Sequence, residues 1–178
     1  MENIRRKKGP TGIKQLPIYV FPRVSPPKDR INIESFGSNR NGLSVRIQMN
    51  PGYVLSDEPH LHMEITIDNA KKQNINKIKY QFVQNCETEL YHRRTVLLDS
   101  MIDGISDCTE EHLHGKLVVP IPRSVLELPP TYSHINESNP MKSILVFYTL
   151  KIECCVDGFF GVFTNIKFQM PIFVASKQ

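Results

Sequence analysis

The sequence predicts an all-β fold, an antiparallel β-sandwich, from Leu43 to the end of the chain. Apolar and polar residues alternate strictly in Leu43–Met49 and again in Leu61–Ile67, which is the period of a half-buried strand. Clusters of Asn, Asp, Gly and Pro separate the runs, and no window combines a helical apolar stripe with capping residues. Short alternating runs between turn signals are typical of immunoglobulin-like sandwiches.

The same pattern predicts the individual strands and their inward faces. On Leu61–Ile67 the odd positions face the core, which leaves His62, Glu64 and Thr66 outside. Ser143–Ile152 is apolar on both faces, so we expect it to be a central strand that is covered on both sides. The predicted strands are Leu43–Met49, Leu61–Ile67, Ile75–Gln84, Leu90–Leu98, His114–Ile121, Ser143–Ile152, and a last pair or single bent strand over Phe159–Val174.

Residues 1–42 are predicted to form a basic, Pro/Gly-rich extended arm, and residues 43–178 the sandwich domain. The prolines of this arm forbid a helix and restrict any strand there to the edge of a sheet. Residues 1–30 hold eight Lys or Arg against two acidic residues, whereas the rest of the chain has 14 basic and 16 acidic residues. The body is therefore nearly neutral, which argues against nucleic acid as a partner.

The composition also predicts where the protein resides. The basic N-terminus has no apolar segment behind it that would make a signal peptide, and no run reaches the length of about 18 apolar residues that spans a bilayer. The four cysteines include no Cys-x-x-Cys pair. A cytoplasmic protein with reduced thiols is the prediction.

The order and spacing of several segments resemble a known family. From about Leu43 to Ala175 the chain is similar to the C-terminal domain of arrestins, closest to the arrestin-domain-containing (alpha-arrestin) proteins. A full arrestin has a second sandwich before this domain, whereas only some 42 residues precede Leu43. The matching segments are Met49–Val54, Ile65–Asn69, Ile78–Gln84, Leu117–Pro122, Leu128–Thr131, Ser143–Ile152 and Met170–Ile172.

The resemblance implies a function as well as an arrestin C-domain type of sandwich. It implies a non-enzymatic adaptor or scaffold in membrane-protein trafficking, in endocytosis or protein transport. Its partners would be membrane receptors or transporters and WW-domain ubiquitin ligases, met at endosomes or the plasma membrane. The alternative is a structural interaction module, or a truncated C-domain, that lacks trafficking activity.

Two segments are candidate binding sites. Pro129-Pro130-Thr131-Tyr132 matches the PPxY motif that WW domains bind, with Pro129, Pro130 and Tyr132 as the ligand residues. The alternative is structural, because a Pro-Pro-Thr segment also stands at the start of a sandwich strand in the family. The basic run Arg5, Arg6, Lys7 and Lys8 could make peripheral membrane contact, the alternative being a solvated tail.

Neither a metal site nor a catalytic centre is predicted. His60-Leu-His62 and His112-Leu-His114, the latter near Cys108 and Glu111, have the spacing that lets two ligands share one face of a strand. Nothing in the sequence selects further ligands, so exposed histidines are the preferred interpretation. The chain has no G-x-S-x-G nucleophile motif and no Gly-rich loop before a helix, so no enzyme and no cofactor are expected.

Overall fold

Ten β-strands and no helix make up the described part of the chain. The computed structural model of the protein describes residues 23–28, 32–56, 58, 60–121, 129–139, 143–157 and 165–176. Within these ranges no helix is long and apolar enough to cross a membrane. The strands are β1 (Ile33–Ser38), β2 (Leu43–Met49), β3 (Tyr53–Leu55), β4 (His60–Asn69), β5 (Ile75–Thr88), β6 (Tyr91–Met101), β7 (His112–Pro120), β8 (Tyr132–His134), β9 (Ile144–Val156) and β10 (Ile166–Ala175).

These strands form two packed sheets. The four-stranded sheet has the order β1-β2-β4-β7, and the six-stranded sheet has the order β3-β10-β9-β5-β6, with β8 pairing to the start of β9. All pairs are antiparallel except β3 with β10. The predicted all-β sandwich is confirmed. Of the predicted run Phe159–Val174, residues 159–164 lie outside the described residues, and Ile166–Val174 belongs to the single strand β10.

The alternation seen in the sequence sets the inward faces of the four-stranded sheet. Burial alternates along the whole of β4, with Leu61, Met63, Ile65 and Ile67 inside. The residues between them point outward, as predicted, since successive side chains of a strand lie on opposite faces. Strand β2 repeats the pattern and pairs with β4 in register, Val45 opposite Ile67.

The predicted central position of the strand after Ser143 is also confirmed. Strand β9 lies between β10 and β5, and its middle residues Tyr148, Thr149 and Leu150 are all buried. Tyr148 and Leu150 do not point to the same face as Thr149, so both faces of β9 are covered at this point. Burial decreases towards the start of the strand, where Ile144 is 42% exposed.

Part of the predicted arm belongs to the sandwich. Strand β1, which lies within residues 1–42, pairs along its whole length with β2 at the edge of the four-stranded sheet. It also lies against β10, because Gly37 leaves room for the Ile166 side chain: a Cβ atom there would be 2.5 Å from Ile166 Cγ2. Further upstream, the backbone N–H of Ser176 donates to the carbonyl of Val24 at 2.8 Å. The described residues of the arm, 23–28 and 32–42, therefore include one strand, and it lies at the edge of a sheet.

Candidate protein-interaction surface

The predicted WW ligand lies against the end of the six-stranded sheet. Pro130 is buried and Pro129 is half-buried. The Thr131 N–H donates to the Val174 carbonyl at 2.8 Å, and the Val174 N–H donates to the Thr131 hydroxyl at 2.9 Å. This reciprocal pair attaches the segment to β10 just before β8 begins.

A buried tyrosine on β9 holds the same segment from the inside. Tyr148 is fully buried, and its ring stacks on Phe82 of β5 with the centroids 5.5 Å apart. Its hydroxyl donates to the Pro129 carbonyl at 2.5 Å and accepts a hydrogen bond from Gln84 Nε2 at 2.9 Å. Burial raises the pKa of the Tyr148 hydroxyl above its usual range, so the hydroxyl remains a donor to Pro129.

Tyr132 is the first residue of a strand. It is opposite Val146 in the β8–β9 pair and is half-buried, and its ring stacks on His134 with centroids 6.5 Å apart. A WW domain needs both prolines and the tyrosine accessible in an extended turn. The contacts made by Pro130 and Tyr132 favour the structural alternative, while WW binding itself stays a prediction.

A second surface stands out where β5 turns into β6 and β8 turns into β9, which we call the hairpin end. Three large apolar side chains are exposed there, Leu90 by 75%, Ile135 by 76% and Ile144 by 42%. Leu90 lies in the two-residue turn between Thr88 and Tyr91, and Ile135 directly follows β8. Leu90 and Ile135 stand outside the strands and remain mostly in water, so this end of the sheet can bury apolar surface against another protein.

The hairpin end is also basic at the edge strand. Tyr91, His92, Arg93 and Arg94 at the start of β6 are all exposed. His92 Nε2 lies 3.6 Å from Glu87 Oε1 across the strand pair. Within the described residues, neither Arg93 nor Arg94 forms an ion pair. This surface therefore combines exposed apolar turns with two arginines that form no ion pair in the described residues.

A polar depression of about 540 Å³ lies on the outer face of the six-stranded sheet. Three lysines and two carboxylates line it, so its charges largely compensate. Lys167 Nζ is 3.1 Å from Glu153 Oε1, and Asn165 Nδ2 donates to the same oxygen at 2.8 Å. The hydrogen bond from Lys167 and then the one from Asn165 lower the pKa of Glu153. The charged lining is Lys79, Asp99, Lys151, Glu153 and Lys167.

The histidine pairs are surface residues of the four-stranded sheet. His112 Nδ1 is 3.0 Å from Asp68 Oδ1, and His114 Nδ1 is 3.1 Å from the Thr66 hydroxyl, across the β4–β7 pair. His60 has no such neighbour on this pair, because it lies opposite Pro120. In the ranges that the structure describes, no three His, Cys, Asp or Glu side chains are grouped as a metal site would require. The basic run Arg5, Arg6, Lys7 and Lys8 lies outside the described residues.

The family of the chain follows from its sequence match together with this fold. The family model described as "Arrestin (or S-antigen), C-terminal domain" matches residues 40–178. The protein belongs to the arrestin C-terminal domain family. Domains of this family are generally non-enzymatic and bind proteins. A search of the curated proteins finds no match.

Sequence reasoning missed the hairpin end. Alternation predicted a strand over Leu90–Leu98, which assigned Leu90 to the sheet, whereas it stands in the turn before β6. Ile135 directly follows β8, a three-residue strand that the alternation did not predict. Glu89 and Leu90 are the two residues between β5 and β6, and a two-residue hairpin turn exposes both of its side chains.

Proposed function

We propose that the protein is a non-enzymatic adaptor that binds membrane receptors or transporters and takes part in their endocytosis or transport. Membership of a protein-binding family supports the adaptor role. The surface to which we assign this role is the hairpin end, and the observation that supports it is the exposure of Leu90, Ile135 and Ile144 there. A cytoplasmic location, contact with endosomes or the plasma membrane, and membership of the alpha-arrestin group are parts of the same proposal.

The physical argument rests on the cost of exposing these side chains. Burying a large apolar side chain contributes about 1.5–3 kcal/mol. Leu90 and Ile135 contribute almost nothing to the folded chain because three quarters of each remains in water. A partner that covers both would gain most of that free energy on binding.

The test is a paired variant in cells. The double variant Leu90→Ser and Ile135→Ser removes the apolar turns, and Val118→Ser, at a site 49% exposed on β7, is a matched control elsewhere on the surface. We expect the wild type and the control to crosslink to plasma-membrane receptors or transporters, and the double variant to lose them. The rate at which the captured proteins are internalised can be measured by surface biotinylation. This rate should fall when the protein is depleted from the cells, and only the wild type or the control should restore it.

A structural module without trafficking activity would give a different result in the same experiment. Its partners would depend on Leu90 and Ile135 but would include no membrane protein, and depletion of the chain would not change internalisation. Capture of membrane proteins that is equal for all three chains would show that another surface binds them.

A further inference from the structure

In the part of the chain that the structure describes, the start of β6 lies at the edge of a sheet and carries two adjacent arginines. Strand β6 is the last strand of the six-stranded sheet and pairs only with β5 in the part of the chain that the structure describes. An antiparallel strand directs about half of its backbone N–H and C=O groups to each side, so β6 presents a row of them to solvent. From Tyr91 to Arg94 every side chain is exposed as well.

The regular part of this edge is short and well defined. The pairing with β5 is continuous from Thr88–Tyr91 to Val83–Val96, and it then skips Leu97 before resuming at Phe82–Leu98. A bulge of this kind interrupts the row of outward backbone groups. The segment Tyr91–Val96, which we call the open edge, is therefore the stretch on which an added strand could pair in register.

Arginines occupy both faces of the open edge. Arg93 and Arg94 are adjacent, so their side chains point to opposite faces of the sheet. Neither has a carboxylate partner in the described ranges. An acidic strand added at this edge would meet an uncompensated guanidinium on each face, and guanidinium–carboxylate hydrogen bonds are among the stronger polar contacts.

A second copy of the chain does not fit the same edge. Two copies paired antiparallel about a two-fold axis align residues of the same face, so a pair centred on Arg93 or on Arg94 brings that arginine directly opposite its mate. Like charges directly across a strand pair are destabilising. The edge thus opposes its own copy, while its charge is complementary to an acidic segment.

We propose that the open edge, Tyr91–Val96, binds an extended acidic peptide of a partner protein as an added β-strand. The backbone of β6 provides the hydrogen bonds, and Arg93 and Arg94 bind carboxylates on the two faces. The proposal does not depend on membrane-protein trafficking, nor on the apolar turns Leu90 and Ile135.

The experiment uses the full chain and a labelled octapeptide of threonine and valine with two adjacent glutamates at its centre. Adjacent glutamates point to opposite faces, as Arg93 and Arg94 do. Binding is measured by fluorescence anisotropy. We expect saturable binding that weakens about tenfold or more in the double variant Arg93→Glu and Arg94→Glu. The control Lys71→Glu with Lys77→Glu makes the same charge change at exposed sites at the other end of the sheet, and should alter the affinity less than about twofold.

Two modified peptides test strand addition on the unaltered protein, so the answer does not depend on whether the variants fold. Each carries N-methyl groups on one alternate set of backbone amides. We expect one of them to lose binding and the other to keep it, because only one edge of the peptide faces β6. Equal binding by both peptides would overturn strand addition, and so would equal binding by a peptide with glutamine in place of glutamate.

The remaining outcomes also decide the question. No saturable binding would overturn the proposal and leave the two arginines as protection of the edge against aggregation. If single-stranded RNA or vesicles of phosphatidylserine bind more tightly than the peptide, with the same dependence on Arg93 and Arg94, the partner is not a peptide strand. The Leu90→Ser and Ile135→Ser variant should bind the octapeptide normally, which separates this test from that of the adaptor function.

Discussion

Removing one oxygen atom from Tyr148 should measure how strongly the Pro129 segment is held to the sheet. In Tyr148→Phe the ring and its stacking on Phe82 remain, but the Pro129 carbonyl loses its donor and Gln84 Nε2 loses its acceptor. Leaving a buried polar group without a partner costs about 1–3 kcal/mol, compared with about 0.5–1.5 kcal/mol for the net contribution of one bond. Since the Gln84 side chain is only partly buried and can turn to water, we expect a loss of about 1–3 kcal/mol for the whole change.

This loss of stability can be measured by urea denaturation, with tyrosine fluorescence and circular dichroism as the probes of unfolding. A loss of about 2 kcal/mol with a slope of about 2 kcal/mol per molar urea lowers the midpoint by about 1 M. Tyr91→Phe is the control, because Tyr91 is 57% exposed on the edge strand and only its backbone carbonyl takes part in a side-chain hydrogen bond in the described residues. Exposed substitutions usually change stability by less than about 0.5 kcal/mol.

The reasoning fails if Tyr148→Phe is as stable as Tyr91→Phe. In that case the bond to the Pro129 carbonyl does not hold the segment, and Pro129–Tyr132 could leave the sheet to meet a WW domain. A lowered midpoint with an unchanged slope is the expected result, because it shows that only stability has altered.

Three further predictions concern single residues. Gly37→Ala should destabilise the fold by about 1–3 kcal/mol, because its Cβ would overlap Ile166 Cγ2, whereas Gly115→Ala, whose nearest neighbour is 3.9 Å away, should stay within about 0.5 kcal/mol in the same urea assay. Burial raises the pKa of the Cys154 thiol to about 12, so the folded chain keeps a proton that the unfolded chain releases near pH 9. The free energy of unfolding should therefore fall between pH 9 and pH 10 by up to about 1.4 kcal/mol more in the wild type than in Cys154→Ala. The same pH dependence of unfolding in both proteins would contradict this. Tyr132→Ala should lower the free energy of unfolding by about 1–2 kcal/mol, because the Tyr132 ring is half-buried. If the variant instead loses binding to a WW domain while its urea midpoint is unchanged, Tyr132 is a ligand residue and not a structural one.

The strands with strong alternation could be predicted from local sequence. In β4 every second residue is a large aliphatic one, so a shift by one position would expose all of them, and the pattern specifies both the strand and its inward face. Ser143–Ile152 is apolar on both faces, and a strand of this kind must be covered on both sides, so a central position could be predicted before any partner was known.

The short strands could not be predicted in this way. Strands β3 and β8 have three residues each, which is too few to show a period of two. Strand β3 exists because it pairs with β10 near the other end of the chain, and β8 because it pairs with the next strand, β9. Strand β1 contains Gly37 and polar residues that read as part of a loop, and it becomes a strand because β2 provides a partner and β10 a surface. The candidate surface shares this difficulty, since Leu90 and Ile135 look like ordinary apolar residues until their exposure is known.

The sequence by itself determined the all-β class, the inward residues of the long strands and the family, because these depend on local periodicity and on the order of segments along the chain. Only the tertiary structure decided which residues meet across that order. The Tyr148 hydroxyl reaches the Pro129 carbonyl 19 residues away, and the free edge of β6 exists because no described strand lies beyond it. Contacts of this kind depend on which strands pair with each other, and the alternation within one strand does not specify its partner.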